Sequence, residues 1–169
     1  MKTYMFSIHP EWVEKIISGE KTIEVRKKCP KTPFKLIGYE TQSHKGRGQV
    51  IFEAIVDRVE DIESLIRPQY GSQINYYNII GATLDKMCLT YNQLTAYGKY
   101  KPLKALHLTQ VKVYDKPKEL WNFFKPCGNC DKKGTARCTE EISYCRARKI
   151  QTAPQSYMEV EEVTEWNEI

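Results

Sequence analysis

The sequence predicts an α+β fold, a mixed β structure with flanking helices, that carries a small cysteine-rich appendage. Three observations support this prediction. Several segments alternate apolar and polar residues with the period of two that is typical of strands. One amphipathic segment near the N-terminus has the helical period and ends at Gly19, a residue type suited to a helix C-terminus. Four of the six cysteines fall within residues 127–145.

The N-terminal part of the chain is predicted to alternate strands with one helix. Pro10 suits the first turn of that helix, and His9 before it is expected to act as its cap. Two prolines then interrupt a basic loop, because proline cannot donate a hydrogen bond to a central strand. The predicted elements are a strand over Tyr4–Ile8, a helix over Pro10–Ser18, and strands over Thr22–Lys27, Phe34–Thr41 and Gln49–Val59.

The second half of the chain is predicted to be less regular. Residues 60–96 are expected to be helical and irregular, with short amphipathic stretches at Ile62, Leu65 and Ile66 and at Leu89–Ala96. Alternation over Leu103–Val113 predicts a strand, with a bulge near Thr109-Gln110 where the alternation slips. The remaining predictions are a short helix from Lys116 through Leu120, Trp121 and Phe124, and a last strand over Ser156–Val160.

The overall composition is that of an ordinary soluble globular protein. Hydrophobic residues make up 41% of the chain and charged residues 28%, and the length suits one domain. The chain has no apolar run long enough for a membrane helix, and its N-terminus lacks the apolar core of a signal peptide. We therefore expect a cytoplasmic protein without a membrane partner, whose cysteines are free thiols or metal ligands rather than disulfides.

The net charge of +5 conceals an asymmetry along the chain. Five of the 21 acidic residues lie in residues 158–169, which contain no Lys or Arg, so the rest of the chain is more basic than the total indicates. A basic body with an acidic tail is frequent in proteins that bind nucleic acid. The alternative is that the charge only keeps the protein soluble.

The segment SGEKTIEVR, residues 18–26, is the most informative part of the sequence. Period-two alternation directs Ile23 and Val25 into the core and Thr22, Glu24 and Arg26 to the opposite face, beside Lys21. Residues two apart on a strand lie about 6–7 Å apart at the backbone, so Glu24 and Arg26 can form an ion pair. Such a pair is either a surface salt bridge of little energetic value or part of a ligand-binding cleft.

Residues 6–26, in which a helix is followed by G-x-K-x-x-E-x-R entering a strand, resemble the ASCH family. Residues 154–157, Pro-Gln-Ser-Tyr, resemble the ending of its phage and bacterial members. The resemblance implies a PUA-like mixed β pseudo-barrel, related to RNA-modification domains, with a cleft next to the GEKTIEVR motif. It also implies an ASCH-like domain over residues 1–124 and 147–160, a cysteine-rich insertion over residues 125–146 and an acidic tail over residues 161–169.

The function that this resemblance implies is binding of RNA or of a nucleoside-like ligand in the cleft. In that role Arg26 and Lys21 hold a phosphate or base edge, and Glu24 accepts from an amine or hydroxyl. Basic loops contribute further contacts to nucleic acid. The predicted binding residues are Lys21, Thr22, Glu24, Arg26, Lys28, Lys45 and Arg47. The oligomeric state does not follow from the sequence.

Two other functions stay open. Some ASCH-like proteins are amidohydrolases of N4-acylated cytidine that use a Lys and a Thr of this motif and a later Glu, and other relatives are reported as ribonucleases. Lys21 matches the Lys of the amidohydrolases, but Glu24 stands where they carry Thr. If the chain is an enzyme, Lys21 and Glu24 are its candidate catalytic residues. The third possibility is a regulatory adaptor that binds another protein through the acidic tail and the cysteine segment.

The cysteine segment has the spacing C-x2-C-x7-C-x6-C, formed by Cys127, Cys130, Cys138 and Cys145. A C-x2-C turn that contains a Gly lets two thiolates bind one ion. Neighbouring Lys and Arg residues would balance the negative charge of four thiolates. The spacing of the second pair is not standard, so unliganded thiols are the alternative. We expect a structural Zn²⁺ ion held by these four cysteines.

Overall fold

A computed structural model describes residues 1–126 and 149–162 of the chain. Its strands, in chain order, are β1 Lys2–Ile8, β2 Ile23–Arg26, β3 Phe34–Glu40, β4 Val50–Ile62, β5 Ser64–Gln69, β6 Ser72–Tyr77, β7 Leu103–Lys118, β8 Phe123–Phe124, β9 Tyr157–Glu159 and β10 Glu161–Glu162. Its α-helices are α1 Pro10–Ile17, α2 Gly81–Met87 and α3 Tyr91–Gly98. Single 3-10 turns cover Ser43–Lys45 and Leu120–Asn122.

The centre of the fold is a six-stranded mixed sheet in the order β2-β7-β4-β3-β1-β9. β1 and β3 run parallel, and the other neighbouring strands are antiparallel. The long strands β4 and β7 are paired along most of their length, with register shifts that bend the sheet. One shift lies opposite Thr109–Lys112, where Gln110 has φ +49°, so the predicted bulge is confirmed. The α+β architecture is confirmed as well.

The sheet is stabilised by apolar clusters on its faces. One lies beneath α1 and includes Phe6, Val13 and Phe52, and another packs β2 and β7 against α2 and α3. Close packing dictates one residue type within the sheet. A Cβ atom at Gly38 would lie 2.2 Å from the Phe52 ring, so only glycine lets that ring cover the strand.

Two predictions for the second half of the chain are wrong. The stretch with Ile62, Leu65 and Ile66 is not helical, because β4 continues to Ile62 and β5 then pairs with β6 as a hairpin. Its two-residue turn, Tyr70-Gly71, has φ +45° and +77°, which matches the twist of paired strands. The predicted helix from Lys116 is only the 3-10 turn Leu120–Asn122, because pairing with β4 keeps β7 extended to Lys118.

Two further expectations concern the membrane and the metal. No helix within residues 1–126 and 149–162 is long and apolar enough to cross a membrane. The predicted zinc ligands Cys127, Cys130, Cys138 and Cys145 lie outside the described residues. Of the cysteines within them, Cys29 and Cys88 are free thiols.

Candidate ligand-binding cleft

The GEKTIEVR motif is positioned by the end of α1 and by strand pairing. Gly19 has φ +81°, the left-handed conformation that lets the chain leave the helix and turn toward β2. The Lys21 backbone N–H then donates to the Lys15 carbonyl over 2.8 Å. β2 pairs with β7, which places Ile23 and Val25 in the core under α2 and α3. Glu24 and Arg26 therefore lie together on the opposite face, as the alternation predicts.

Lys21, Glu24 and Arg26 form a buried charged triad, named here the cleft triad. Their relative exposures are 2%, 6% and 9%, so the surface salt bridge considered from the sequence is not what forms. The Lys21 ammonium lies 3.4 Å from Glu24 Oε2, and Arg26 Nε lies 3.0 Å from Glu24 Oε1. One carboxylate is thus held between two cations, which offsets the cost of burying its charge.

Lys21 also connects the triad to α2. Its Nζ donates to the Ile23 carbonyl over 2.9 Å and to the Met87 carbonyl over 2.6 Å. Met87 is the last residue of α2, where carbonyls lack partners within the helix and a positive charge is favourable. Two donors of the Lys21 ammonium are therefore engaged by carbonyls, and the ammonium charge is paired with the Glu24 carboxylate.

Arg26 is held by its own set of contacts. Its Nη2 donates to the Ser7 carbonyl over 2.7 Å, and the guanidinium carbon lies 5.3 Å from the centre of the Phe6 ring. Arg26 Nε has no aligned hydrogen-bond acceptor within the described residues, despite its short distance to Glu24. The contact is therefore an ion pair without a hydrogen bond, and it leaves the Glu24 carboxylate able to accept from a ligand.

The cleft triad lines a cavity of about 870 Å³. Its walls come from α1, α3 and a C-terminal segment, residues 154–157, named here the strap. The side chains that α1 and α3 contribute include Trp12, Gln93 and Tyr97, and Lys27 and Lys28 lie along the lining after β2. Burial raises the pKa of Tyr97, so its phenol stays a neutral hydrogen-bond donor at pH 7.

Two of these lining aromatics are functional candidates that sequence reasoning missed. Trp12 precedes Val13 on α1, and its ring lies 5.2 Å from the Lys21 ammonium. Its position about two helical turns before Gly19 was the available signal. Tyr97 lies far along the chain, and no local pattern connects it to the motif. Tyr39 and Tyr77, by contrast, are buried in the core.

The strap brings the Pro-Gln-Ser-Tyr residues against the start of the chain. Ser7 Oγ donates to the Pro154 carbonyl over 2.6 Å, and the Ser7 N–H donates to the Ser156 carbonyl over 3.3 Å. The Tyr157 ring stacks on Phe6 with centroids 5.2 Å apart. The strap thus covers the cavity beside the Arg26 guanidinium, which binds the Ser7 carbonyl.

The other predicted binding residues are dispersed. Lys28 lines the cavity, but Thr22 is exposed, does not line it, and donates its backbone N–H to the Lys86 carbonyl. Lys45 and Arg47 are exposed on the loop after β3, outside the cavity lining. Within the described ranges, no group of three or more His, Cys, Asp or Glu side chains is placed to hold a metal ion.

Comparison with known proteins agrees with this architecture. The family model of the ASCH domain matches residues 6–118, which contain the cleft triad and most of the sheet. The chain belongs to the ASCH family. The membership expected from the motif is confirmed, and with it the PUA-like fold. A search of curated protein sequences gave no significant match.

Solved structures of one bacterial ASCH protein are similar to this ASCH chain. The crystal structure of ASCH from Zymomonas mobilis has a TM-score of 0.58 at 17% identity, covering 95% of this chain and 88% of that one. A Ser-to-Ala mutant of that protein gives 0.57 at 17% identity, covering 95% and 89%. A Tyr-to-Phe mutant gives 0.50 at 19% identity, covering 71% and 77%. At these identities the similarity concerns the fold alone.

Proposed function

We propose that this ASCH protein binds RNA, or a ligand that carries a nucleobase, in the cavity lined by the cleft triad. The observation that carries the proposal is Glu24, a carboxylate buried between two cations at the wall of that cavity. Hydrogen bonds to a charged group are stronger where water is excluded. The coarser part of the proposal follows from membership, since ASCH is a PUA-like family often linked to RNA binding.

The three residues of the cleft triad have different roles in the proposed binding. Lys21 donates to two carbonyls and is paired with Glu24, so its role is to hold Glu24 in place. Glu24 accepts from an exocyclic amine or a hydroxyl of the ligand. Arg26 commits a donor to Ser7, and its remaining N–H groups suit a base carbonyl or a phosphate oxygen.

The surroundings of the triad fit the same class of ligand. Trp12 and Tyr97 offer aromatic rings for base stacking, the usual way proteins hold unpaired bases. Among the described residues that line the cavity, four are Lys or Arg and two are Glu, so the lining favours an anion. Lys27 and Lys28 are exposed there and can follow a phosphate backbone.

The amidohydrolase alternative has less support from the geometry. It needs a reactive group beside Lys21, and Thr22 lies outside the cavity lining. A side-chain nucleophile also needs a neighbouring base. Glu24 occupies the space next to the Lys21 ammonium instead.

Fluorescence anisotropy with short single-stranded and duplex RNA, at low and near-physiological salt, tests the proposal. Arg26→Ala is compared with Arg58→Ala, which removes an equal charge from an exposed position outside the cavity lining. We expect Arg26→Ala to weaken binding about 10- to 100-fold, because hydrogen bonds to charged groups contribute roughly 1.5–3 kcal/mol. Arg58→Ala should change it less than about twofold.

Comparing the two variants distinguishes RNA binding in the cleft from non-specific electrostatic binding to the protein surface. Equal losses in both variants would mean that RNA follows the surface charge and not the cleft. Absence of binding by the parent protein at low salt would overturn the proposal, because electrostatic binding to nucleic acid is strongest there.

A further inference from the structure

A second group of reactive side chains lies at the cavity, separate from the cleft triad. Thr41 Oγ1 lies 2.6 Å from Ser43 Oγ, and Ser43 Oγ lies 2.8 Å from His9 Nδ1. His9 and Thr41 both line the cavity, and Ser43, which contacts both side chains, lies directly beside that lining. His9 occupies the N-cap position of α1, as expected from the sequence. Its imidazole, however, makes no hydrogen bond to the helix N-terminus. It is engaged with Ser43 instead.

The loop after β3 is built to hold this serine in position. The Thr41 N–H donates to the Ile8 carbonyl over 2.9 Å, next to His9 in the chain. Buried Glu40 accepts from the Arg47 N–H over 2.7 Å, which closes the loop. A Cβ atom at Gly46 would lie 1.9 Å from the Thr41 carbonyl oxygen, so the tight return of the chain requires glycine there.

We propose that Ser43 and His9 form a nucleophile and general-base pair for acyl transfer from esters. A serine hydroxyl becomes a nucleophile when a neighbouring base within hydrogen-bond distance takes its proton. The proposal concerns an activity beyond nucleobase binding and does not depend on it.

The reaction proceeds in two steps. Ser43 Oγ bonds to the ester carbonyl carbon while His9 Nδ1 takes the hydroxyl proton. The ester C–O bond then breaks, and the leaving alkoxide takes that proton from His9. Water attacks the acyl-Ser43 carbonyl, His9 takes the proton of the water, and the released carboxylic acid leaves Ser43 with its proton restored. The hydrogen bond between Thr41 Oγ1 and Ser43 Oγ holds the serine hydroxyl in position.

The cavity indicates the class of ester. The described lining carries more cationic than anionic side chains, with Lys28 and Arg26 among them. A small ester with a carboxylate or phosphate elsewhere on the molecule therefore fits better than a neutral or cationic one.

Labelling with a fluorophosphonate tests the proposal directly. This reagent reacts with activated serines, forming a P–O bond and releasing fluoride, and does not react with ordinary surface serines. We expect one label per chain by intact-mass spectrometry, mapped to Ser43. Ser43→Ala should abolish labelling, and His9→Ala should slow it about 100-fold, the usual contribution of a general base.

Two further variants keep the test decisive. His9→Asn retains a side chain that can hydrogen-bond Ser43 but supplies no base, so labelling at the parent rate in this variant would overturn the proposal. Ser18→Ala removes an exposed serine whose partners are Lys15 and Glu20 rather than a histidine, and it should label like the parent. Parent protein that stays unlabelled, or is labelled elsewhere, would also overturn it.

Discussion

Two ion pairs in this molecule have the same spacing in the sequence and opposite environments. Glu24 and Arg26 lie two apart on β2, and Arg58 and Glu60 lie two apart on β4. The first pair has side-chain exposures of 8% and 11%, and the second has 62% and 50%. The difference comes from the elements that cover β2, because α1, α3 and the strap enclose its polar face. The spacing in the sequence allows an ion pair to form, and the elements packed over the strand determine whether that pair is buried or exposed.

The largest effect on stability is expected from the cysteine segment, which lies outside the described residues. We propose that Cys127, Cys130, Cys138 and Cys145 bind one zinc ion. In the chain they precede the strap, which covers Glu24 and Arg26 but not the exposed pair. Structural zinc contributes roughly 10 kcal/mol or more in small peptides, so Cys127→Ser should lower Tm by roughly 20 °C or more. Mass-spectrometric metal analysis and thermal melting measure this.

The free thiol Cys88 supplies the control for the zinc prediction. Cys88→Ser should retain zinc at about one ion per chain. The prediction would be contradicted if the parent protein contained no zinc and Cys127→Ser melted at the same temperature as the parent.

Lys21→Met should cause the next largest loss. It leaves Glu24 with one cation fewer and removes the donor of the Ile23 and Met87 carbonyls. Breaking a buried pair costs roughly 3–5 kcal/mol in the free energy of unfolding. Arg58→Met in the exposed pair should cost less than about 0.5 kcal/mol. Urea unfolding of both variants provides the measurement, and similar values would show that burial does not separate the pairs.

Double-mutant cycles compare the two pairs directly. The cycle of Glu24→Gln with Arg26→Gln should give a coupling energy of about 2 kcal/mol, because both groups share a site shielded from water. The cycle of Arg58→Gln with Glu60→Gln should give about 0.2–1 kcal/mol, the usual range for exposed pairs. Raising the salt concentration should reduce the second coupling more than the first. The opposite ranking would contradict the comparison.

The smallest effect is expected at an ion pair of intermediate burial, Lys35 with Glu53. Burial raises the pKa of Glu53, but hydrogen bonds from Tyr114 and Lys35 outweigh it and leave the pKa below 4.5. The resulting stability is present above pH 4.5 and is lost as pH falls through the folded-state pKa. Glu53→Gln should therefore be less stable than the parent at pH 7, by less than about 1 kcal/mol, and this difference should shrink as the pH falls below 4.5. A difference that grows as the pH falls would contradict this assignment.

Local pattern was sufficient to predict some of these features. Alternation over residues 22–27 assigns Glu24 and Arg26 to one face, and the slip at Thr109-Gln110 marks the bulge. The β5–β6 hairpin was missed because its turn is Tyr-Gly rather than the common Asn-Gly, and short apolar runs do not distinguish helix from strand.

The candidate site depends more on contacts between distant parts of the chain. Tyr97 reaches the cavity from α3, and the Met87 carbonyl engages Lys21 through the end of α2. Neither contact can be predicted from the local sequence pattern, because each forms only when the helices pack on β2. The burial of the Glu24–Arg26 ion pair could therefore not be derived from spacing.

The strap determines when the cavity is completed during synthesis of the chain. β1 leaves the ribosome well before the strap and β9, which cover the cavity and pair with the edge of β1. A nascent chain that stops before Pro154 exposes an unpaired strand edge and an uncovered cavity. Translation must therefore pass residue 157 before the walls of the cavity are complete.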